Sequence, residues 1–82
     1  MRNHCIHGTF EGKPISCGLF QGEFFEIYYI SSWNNEQRFY APCEEDKEVL
    51  IPYYEDALTG KITDQEALVN IANIMRDWDY DI

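Results

Sequence analysis

The strongest strand signal in the chain is the heptapeptide Phe24-Phe25-Glu26-Ile27-Tyr28-Tyr29-Ile30. Aromatic and β-branched side chains suit a pleated, half-buried surface. Apolar side chains occupy both alternate sets of positions, which is typical of a central strand covered on both faces. The heptapeptide therefore predicts the middle of a β-sheet.

Two segments before the central strand predict a hairpin. They are His4 to Phe10 and Ile15 to Phe20. Glu11-Gly12-Lys13-Pro14 lies between them as a turn in which glycine supplies a positive φ. Gln21-Gly22-Glu23 is predicted as the next turn, so the hairpin leads directly into the central strand.

Two further strands are predicted after the central one. They are Gln37 to Ala41 and Val49 to Tyr53, with an exposed acidic turn over Glu44 to Lys47 between them. Proline cannot donate to a strand ladder, so Pro52 confines the fifth strand to an edge. A looser segment is expected over Tyr54 to Ile62, with Gly60 as a breaker and room for one short helical turn over Glu55 to Leu58.

The last predicted element is a helix over about residues 64–78. Thr63 and Glu66 have the spacing of a capping box, in which the threonine accepts from the amide of Glu66 and the glutamate reaches back. Apolar residues then recur at three- and four-residue steps, a stripe wide enough to lie on a sheet. They are Leu68, Ile71, Ala72, Met75 and Trp78. Aspartates at the negative end of the helix dipole predict fraying after Trp78.

Strands first and a helix last predict an α+β domain, an antiparallel sheet of four to five strands with one C-terminal helix packed on a face. Eighty-two residues suit a single domain over residues 1–82, with its strands within residues 4–54. A hydrophobic fraction of 45% is too high for a disordered chain. No run of 18 apolar residues is present, so no membrane-spanning helix is expected.

The chain has three cysteines, Cys5, Cys17 and Cys43. An odd number predicts reduced thiols and a cytoplasmic location, and the N-terminal residues lack the apolar core of a secretory signal. A Cys5–Cys17 bridge across the hairpin stays open. So does a metal site of His4, Cys5, His7 and Cys17, although the paired Cys-x-x-Cys spacing of such sites is missing. We therefore predict no metal and no cofactor.

No catalytic residue is predicted. The sequence has no Gly-rich phosphate loop, no serine nucleophile elbow and no lysine-bearing P-loop. Activation of a cysteine needs an electropositive setting, and this chain is acidic almost throughout. We expect a protein that is not an enzyme.

The negative charge is uneven along the chain. Residues 1–41 hold four acids and three bases, whereas residues 42–82 hold eleven acids and three bases. Aromatic side chains lie among the acids of the second half, and aromatic anchors with steering charges are typical of an interface. The predicted binding residues are Glu44, Glu45, Asp46, Glu55, Asp56, Asp77, Asp79 and Asp81, with Tyr54 and Tyr80 as the anchors.

A net charge of -9 disfavours direct binding to nucleic acid or to a membrane and favours a basic protein partner. Basic proteins commonly bind nucleic acid, and a fixed array of carboxylates can compete for a phosphate-binding groove. In size, acidic clusters and aromatic-rich strands, the chain resembles the small acidic inhibitors of the anti-CRISPR type that phages encode. The resemblance implies an inhibitor of a nuclease complex in the host cytoplasm. Immunity proteins and antitoxins that neutralise nucleases are similar at this level.

An interaction module is the alternative. It would use an aromatic sheet face with Phe24, Tyr28, Trp33 and Tyr40, and its binding would be insensitive to salt. A homodimer formed through the same face, or through an edge strand, is a related possibility.

Overall fold

The computed structural model describes residues 4–20 and 24–82, and these form an α+β fold with a four-stranded antiparallel sheet and two helices. The strands follow one another in the sheet in chain order. The elements are β1 (His4–Phe10), β2 (Lys13–Phe20), β3 (Phe24–Ile30), β4 (Gln37–Tyr40), α1 (Glu44–Leu58) and α2 (Asp64–Asp77). The predicted turn at residues 21–23 and the side chains of His4 and Phe24 lie outside the described part of the chain.

The first hairpin is confirmed, with a tighter turn than expected. Only Glu11 and Gly12 form the turn, with φ angles of 52° and 80°. Two consecutive positive φ values match the twist of the flanking strands, and glycine adopts one without a Cβ penalty. Lys13 and Pro14 therefore belong to β2, where Pro14 pairs with Thr9.

The outer edge of β1 is closed at one point by a side chain of α2. Pro14 has no N–H, so Thr9 and Pro14 form a pair without ladder hydrogen bonds, and the backbone groups of Thr9 point away from β2. The N–H of Thr9 donates to Oε1 of Gln65 at 2.8 Å, and Nε2 of Gln65 donates to the carbonyl of Thr9. The Gln65 amide thus takes the place of a neighbouring strand.

Residues 44–58 form a helix, so the predictions of an acidic turn and a fifth strand here are wrong. Leu50, Tyr54 and Ala57 are buried at the four- and three-residue steps of one helix face. Three acids in the first turn favour the positive end of the helix dipole. Pro52 lies inside the helix on its exposed side, where it removes one backbone hydrogen bond without bringing the ring into the core.

The end of α1 is a Schellman motif. Gly60 has a φ of 82°, its N–H donates to the carbonyl of Ala57, and the N–H of Lys61 donates to the carbonyl of Asp56. The short helical turn predicted over residues 55–58 is the last turn of this longer helix.

The second helix is confirmed within one residue at its C-terminal end. The N–H of Glu66 donates to Oγ1 of Thr63 at 3.0 Å, as the capping box predicts. The glutamate contacts the Thr63 hydroxyl, at 3.3 Å. After the helix the chain does not fray: the N–H of Tyr80 donates to the carbonyl of Met75 at 3.1 Å, and Ile82 is buried.

One face of the sheet carries the core. In β3 the residues Phe25, Ile27 and Tyr29 are buried, while the alternate residues are only partly covered. The buried strand residues form one cluster with the buried residues of both helices. The strand is therefore central in the sheet, as predicted, but both helices lie on the same side, and the expectation of two covered faces is wrong.

Candidate functional site

The exposed side of α1 is the most acidic surface among the described residues. The helix contains six acids and one base. The exposed acids are Glu44, Glu45, Glu48 and Glu55, and the half-buried ones are Asp46 and Asp56. This distribution follows from the helical period, because the apolar residues that contact the core take the opposite side.

The single base of α1 does not offset this charge. The ammonium of Lys47 lies 3.6 Å from Oε1 of Glu44, one helical turn away, and most of the lysine side chain is covered. An i,i+3 pair whose glutamate lies in solvent is worth only about 0.3–0.5 kcal/mol in a helix. The helix carries a net charge of -5, from six acids and one base, and its four exposed glutamates present most of this charge to solvent.

A shallow groove of about 310 Å³ lies along the same side of α1. Its apolar lining comes from Ile51 and Pro52, and carboxylates line the rest together with Lys47. The carboxylates belong to Glu44, Glu48 and Glu55. Lysine and arginine side chains combine an apolar stem with a charged head. The groove has the complementary chemistry, since it places carboxylates next to apolar surface.

Tyr40 joins the first turn of α1 to the C-terminal segment. Its hydroxyl donates to Oδ2 of Asp46 at 2.6 Å, and its ring packs on Tyr80 with 4.2 Å between centroids. Burial, followed by the hydrogen bond to Asp46, raises the pKa of the Tyr40 hydroxyl far above its usual range. Two of the predicted acidic groups, one in α1 and one after α2, thus lie at the same end of the molecule.

Asp81 is held inside a network of hydrogen bonds. Its Oδ2 accepts from the hydroxyl of Ser31 at 2.6 Å and from Nε1 of Trp33 at 2.8 Å, and Arg38 lies 4.0 Å away. The Ser31 hydroxyl holds the pKa of Asp81 below its usual value. This carboxylate stabilises the turn between β3 and β4. Of the predicted C-terminal acids, Asp77 and Asp79 are the exposed ones.

The two predicted aromatic anchors differ in position. Tyr54 is 0% exposed and packs edge-on against Phe25, with 5.4 Å between ring centroids. It belongs to the core, so the expectation of an accessible anchor at Tyr54 is wrong, because α1 turns this side chain inward. Tyr80 is half-buried against Tyr40 and keeps part of its surface in solvent.

The structure does not place the aromatic residues of the alternative interpretation on one face of the sheet. Tyr28 pairs across strands with Phe39, and their ring centroids lie 5.2 Å apart on the face without helices. Tyr40 is on the opposite face, next to the helices. Trp33 lies in the turn between β3 and β4 and is 77% exposed. Phe39 takes the position that the sequence assigned to Tyr40.

The hairpin register separates the cysteines. Cys17 pairs with Ile6, and both are buried, whereas Cys5 and His7 point to the other face of the sheet. All three cysteines are free thiols. Within residues 4–20 and 24–82 no three His, Cys, Asp or Glu side chains are grouped as metal ligands. The register therefore rules out the Cys5–Cys17 bridge that the sequence left open, and it places Cys17 on the opposite face from Cys5 and His7, so these three side chains do not form a shared site.

Glu48, Ile51 and Pro52 complete the acidic groove, and none of them is among the predicted binding residues. Glu44, Glu48 and Glu55 are spaced by four and seven residues, which aligns side chains on a helix. The same spacing is visible in the sequence, but it predicts a row of carboxylates on one side only if residues 44–58 are known to be helical.

No protein-family model, curated protein or solved structure matches the chain. Neither helix in the described part of the chain has the length and the apolar content needed to cross a membrane. The described residues thus form an acidic helix, α1, with the acidic groove on its exposed side. The first turn of α1 contacts the acidic C-terminal segment through Tyr40.

Proposed function

We propose that the protein is a non-catalytic binding protein that inhibits a basic, nucleic-acid-handling protein. In this proposal α1 occupies the surface on which the partner binds phosphates. The main support for this proposal is the row of exposed carboxylates on α1. Lys47 is the only base of that helix.

The helix presents these charges at fixed spacing. At a rise of about 1.5 Å per residue, Glu44 and Glu55 lie about 16 Å apart along the axis, with Glu48 between them. Both ends of α1 are held, the first turn through the Asp46–Tyr40 hydrogen bond and the last through the Schellman motif. A helix backbone that is already formed loses little conformational entropy on binding, which favours affinity.

The groove adds selectivity for protein cations over free ions. A lysine or arginine of the partner can lay its stem on Ile51 and Pro52 and bring its charge to the surrounding glutamates. Charge complementarity of this kind accelerates association and weakens as salt screens it. The complex is therefore expected to form fast and to dissociate in moderate salt.

Anti-CRISPR proteins, nuclease immunity proteins and antitoxins all neutralise partners of this class, and the proposal covers each of them. The common step is competition between carboxylates and phosphates for one set of basic side chains. The identity of the captured partner separates the three.

The test is affinity capture from a cell lysate, with elution by a salt gradient and identification by mass spectrometry. The triple variant Glu44→Gln, Glu48→Gln and Glu55→Gln removes three charges from the groove. The matched control, Glu26→Gln, Glu36→Gln and Asp64→Asn, removes three charges elsewhere. We expect the wild type and the control to retain one basic nucleic-acid-binding protein, and the groove variant to release it at much lower salt.

Equal losses in both triple variants would show that only net charge matters and would contradict a specific α1 site. A partner retained at high salt by all three proteins would also contradict it and would favour the aromatic module.

A further inference from the structure

The face of the sheet without helices carries a row of side chains that crosses all four strands. The register places His7 beside Ser16, Ser16 beside Tyr28, and Tyr28 beside Phe39. The two rings form a pair, and Phe39 is 66% exposed. The pair, half-buried at Tyr28 and exposed at Phe39, forms a ridge on β3 and β4, and the small side chain of Ser16 leaves a trough on β2.

This face is nearly free of charge, although the chain carries -9. By strand alternation, Glu26 is the one acid among the described side chains of this face, and none of them is a lysine or arginine. The acidic helix α1 lies on the other layer. Two copies can therefore meet through this face while their acidic helices point away from each other.

Ridge and trough are complementary under a twofold axis. An axis parallel to the strands, between β2 and β3, brings β3 of one copy over β2 of the other and β4 over β1. Tyr28 then lies over Ser16 of the second copy, Phe39 over its His7, and Glu26 over its Gly18. The two Glu26 carboxylates repel each other in this arrangement, which weakens the dimer at low salt. Self-complementary contacts of this kind are what a symmetric dimer requires.

Pairing through the sheet edges is less favourable. Gln65 occupies the backbone groups of Thr9 on the β1 edge, and β4 is only four residues long. Short or covered edges discourage strand addition. The face is the larger surface, about 20 Å wide for four strands and about 23 Å long for seven residues. An area of this size corresponds to the small, weak class of interfaces.

We propose that the helix-free face of the sheet is a self-association surface, on which two copies form a weak symmetric dimer by placing the Tyr28–Phe39 ridge over Ser16 and His7 of the second copy. The dimer leaves both α1 helices accessible, so it is compatible with the proposed function and does not depend on it.

Sedimentation equilibrium over a range of protein concentrations, at low and high salt, tests this proposal. Phe39→Glu removes the ridge at an exposed position, and Ser16→Glu fills the trough without touching the ridge. Val49→Glu is the matched control, because Val49 is an exposed apolar residue of α1 and gains the same charge. We expect each of the first two variants to weaken dimerisation by about tenfold or more, as hot-spot losses do, and the control to leave it unchanged.

Salt separates self-association from binding of a basic partner. Screening reduces repulsion between two copies of charge -9, so dimerisation is expected to strengthen with salt, whereas capture of a basic protein weakens. A monomer at every concentration and salt would overturn the proposal. A dimer that Phe39→Glu and Ser16→Glu weaken no more than Val49→Glu does would also overturn it. If the wild type is monomeric and Phe39→Glu no longer captures the partner from the lysate, the face binds that partner and not a second copy.

Discussion

Arg76 joins α2 to the first hairpin turn by two hydrogen bonds to the carboxylate of Glu11, at 2.8 and 2.9 Å. The same guanidinium donates from Nε to the backbone oxygen of Ile82 at 3.1 Å and lies 4.8 Å from the ring centroid of Phe10. The forked bond to Arg76 is the main reason that the pKa of Glu11 is lowered. One side chain therefore connects a helix, a turn and the C-terminal segment.

We expect Arg76→Ala to lower the free energy of unfolding by about 1–3 kcal/mol, since it removes charge-assisted hydrogen bonds and a cation–π contact. Arg76→Lys should recover only part of this loss, because an ammonium cannot reproduce the fork. Glu11→Gln should cost much less than Arg76→Ala, because the glutamate is mostly in solvent. Urea unfolding of the three variants measures the differences. Full recovery by lysine would show that only the charge of Arg76 matters.

The Ser31–Asp81 hydrogen bond is expected to be a strongly coupled pair. Ser31 is 0% exposed, so Asp81→Ala leaves its hydroxyl buried without the carboxylate acceptor, at a cost of about 1–3 kcal/mol. Ser31→Ala in the Asp81→Ala background should cost little more. A double-mutant cycle measured by urea unfolding gives the coupling energy. Additive losses would contradict the pairing.

The contribution of Asp81 to the free energy of unfolding is expected to depend on pH. The pKa of this carboxyl lies below its usual 3.8 in the folded state, so its stabilising contribution is complete at pH values above 3.8 and is lost as the pH falls through the lowered pKa. The wild type should therefore lose more stability between pH 6 and pH 3 than Asp81→Asn does. The urea midpoint of both proteins at each pH tests this, and parallel curves would contradict it.

Pro52 is predicted to destabilise α1. A proline inside a helix costs about 3 kcal/mol relative to alanine, of which about 1 is regained through the stiffer unfolded chain. Pro52 is exposed, so Pro52→Ala should stabilise the protein by about 1–2 kcal/mol, visible as a higher thermal midpoint. Val49→Ala, also on the exposed side of α1, serves as the control. A lower midpoint for Pro52→Ala would contradict this and would show that the proline stabilises the protein by more than the lost helix hydrogen bond costs.

The three thiols are expected to differ in reactivity. Burial raises the pKa of Cys17 to about 12, while Cys43 is exposed and Cys5 is half-buried. Alkylation at pH 8 should modify Cys43 first, Cys5 more slowly, and Cys17 only after unfolding in urea, because the thiolate is the reactive form. Peptide mass spectrometry assigns the sites. Labelling of Cys17 in the folded protein at the rate of Cys43 would contradict its placement in the core.

Sequence patterns spanning a few residues predicted the turns, strands and helix caps that depend on neighbouring residues alone. The turn with Gly12, the β3 strand and the Thr63 N-cap each depend on a few neighbouring residues, and each is present, although the turn takes two residues and not the predicted four. The acidic turn and fifth strand predicted in residues 44–53 failed because Pro52 and a short apolar run imitate an edge strand. The helical spacing of Leu50, Tyr54 and Ala57 was the stronger signal.

Long-range contacts explain the remaining errors. The carboxylate of Asp81 meets Ser31 across 50 residues of sequence, and no local pattern indicates such a contact. The face of Cys17 was predictable in principle. In a hairpin with a two-residue turn at Glu11 and Gly12, an odd-numbered residue of β2 pairs with an even-numbered residue of β1, so Cys17 shares a face with Ile6 and not with Cys5.

The most direct test of the proposed function is a competition experiment with the partner captured by the wild-type protein. Labelled nucleic acid is bound to that partner, and the wild-type protein or the Glu44→Gln, Glu48→Gln, Glu55→Gln variant is titrated in. We expect the wild type to displace the nucleic acid, and we expect more nucleic acid to raise the protein concentration that displacement requires. We expect the variant to leave the nucleic acid bound. A stable ternary complex, with nucleic acid and wild-type protein bound to the partner together, would contradict it.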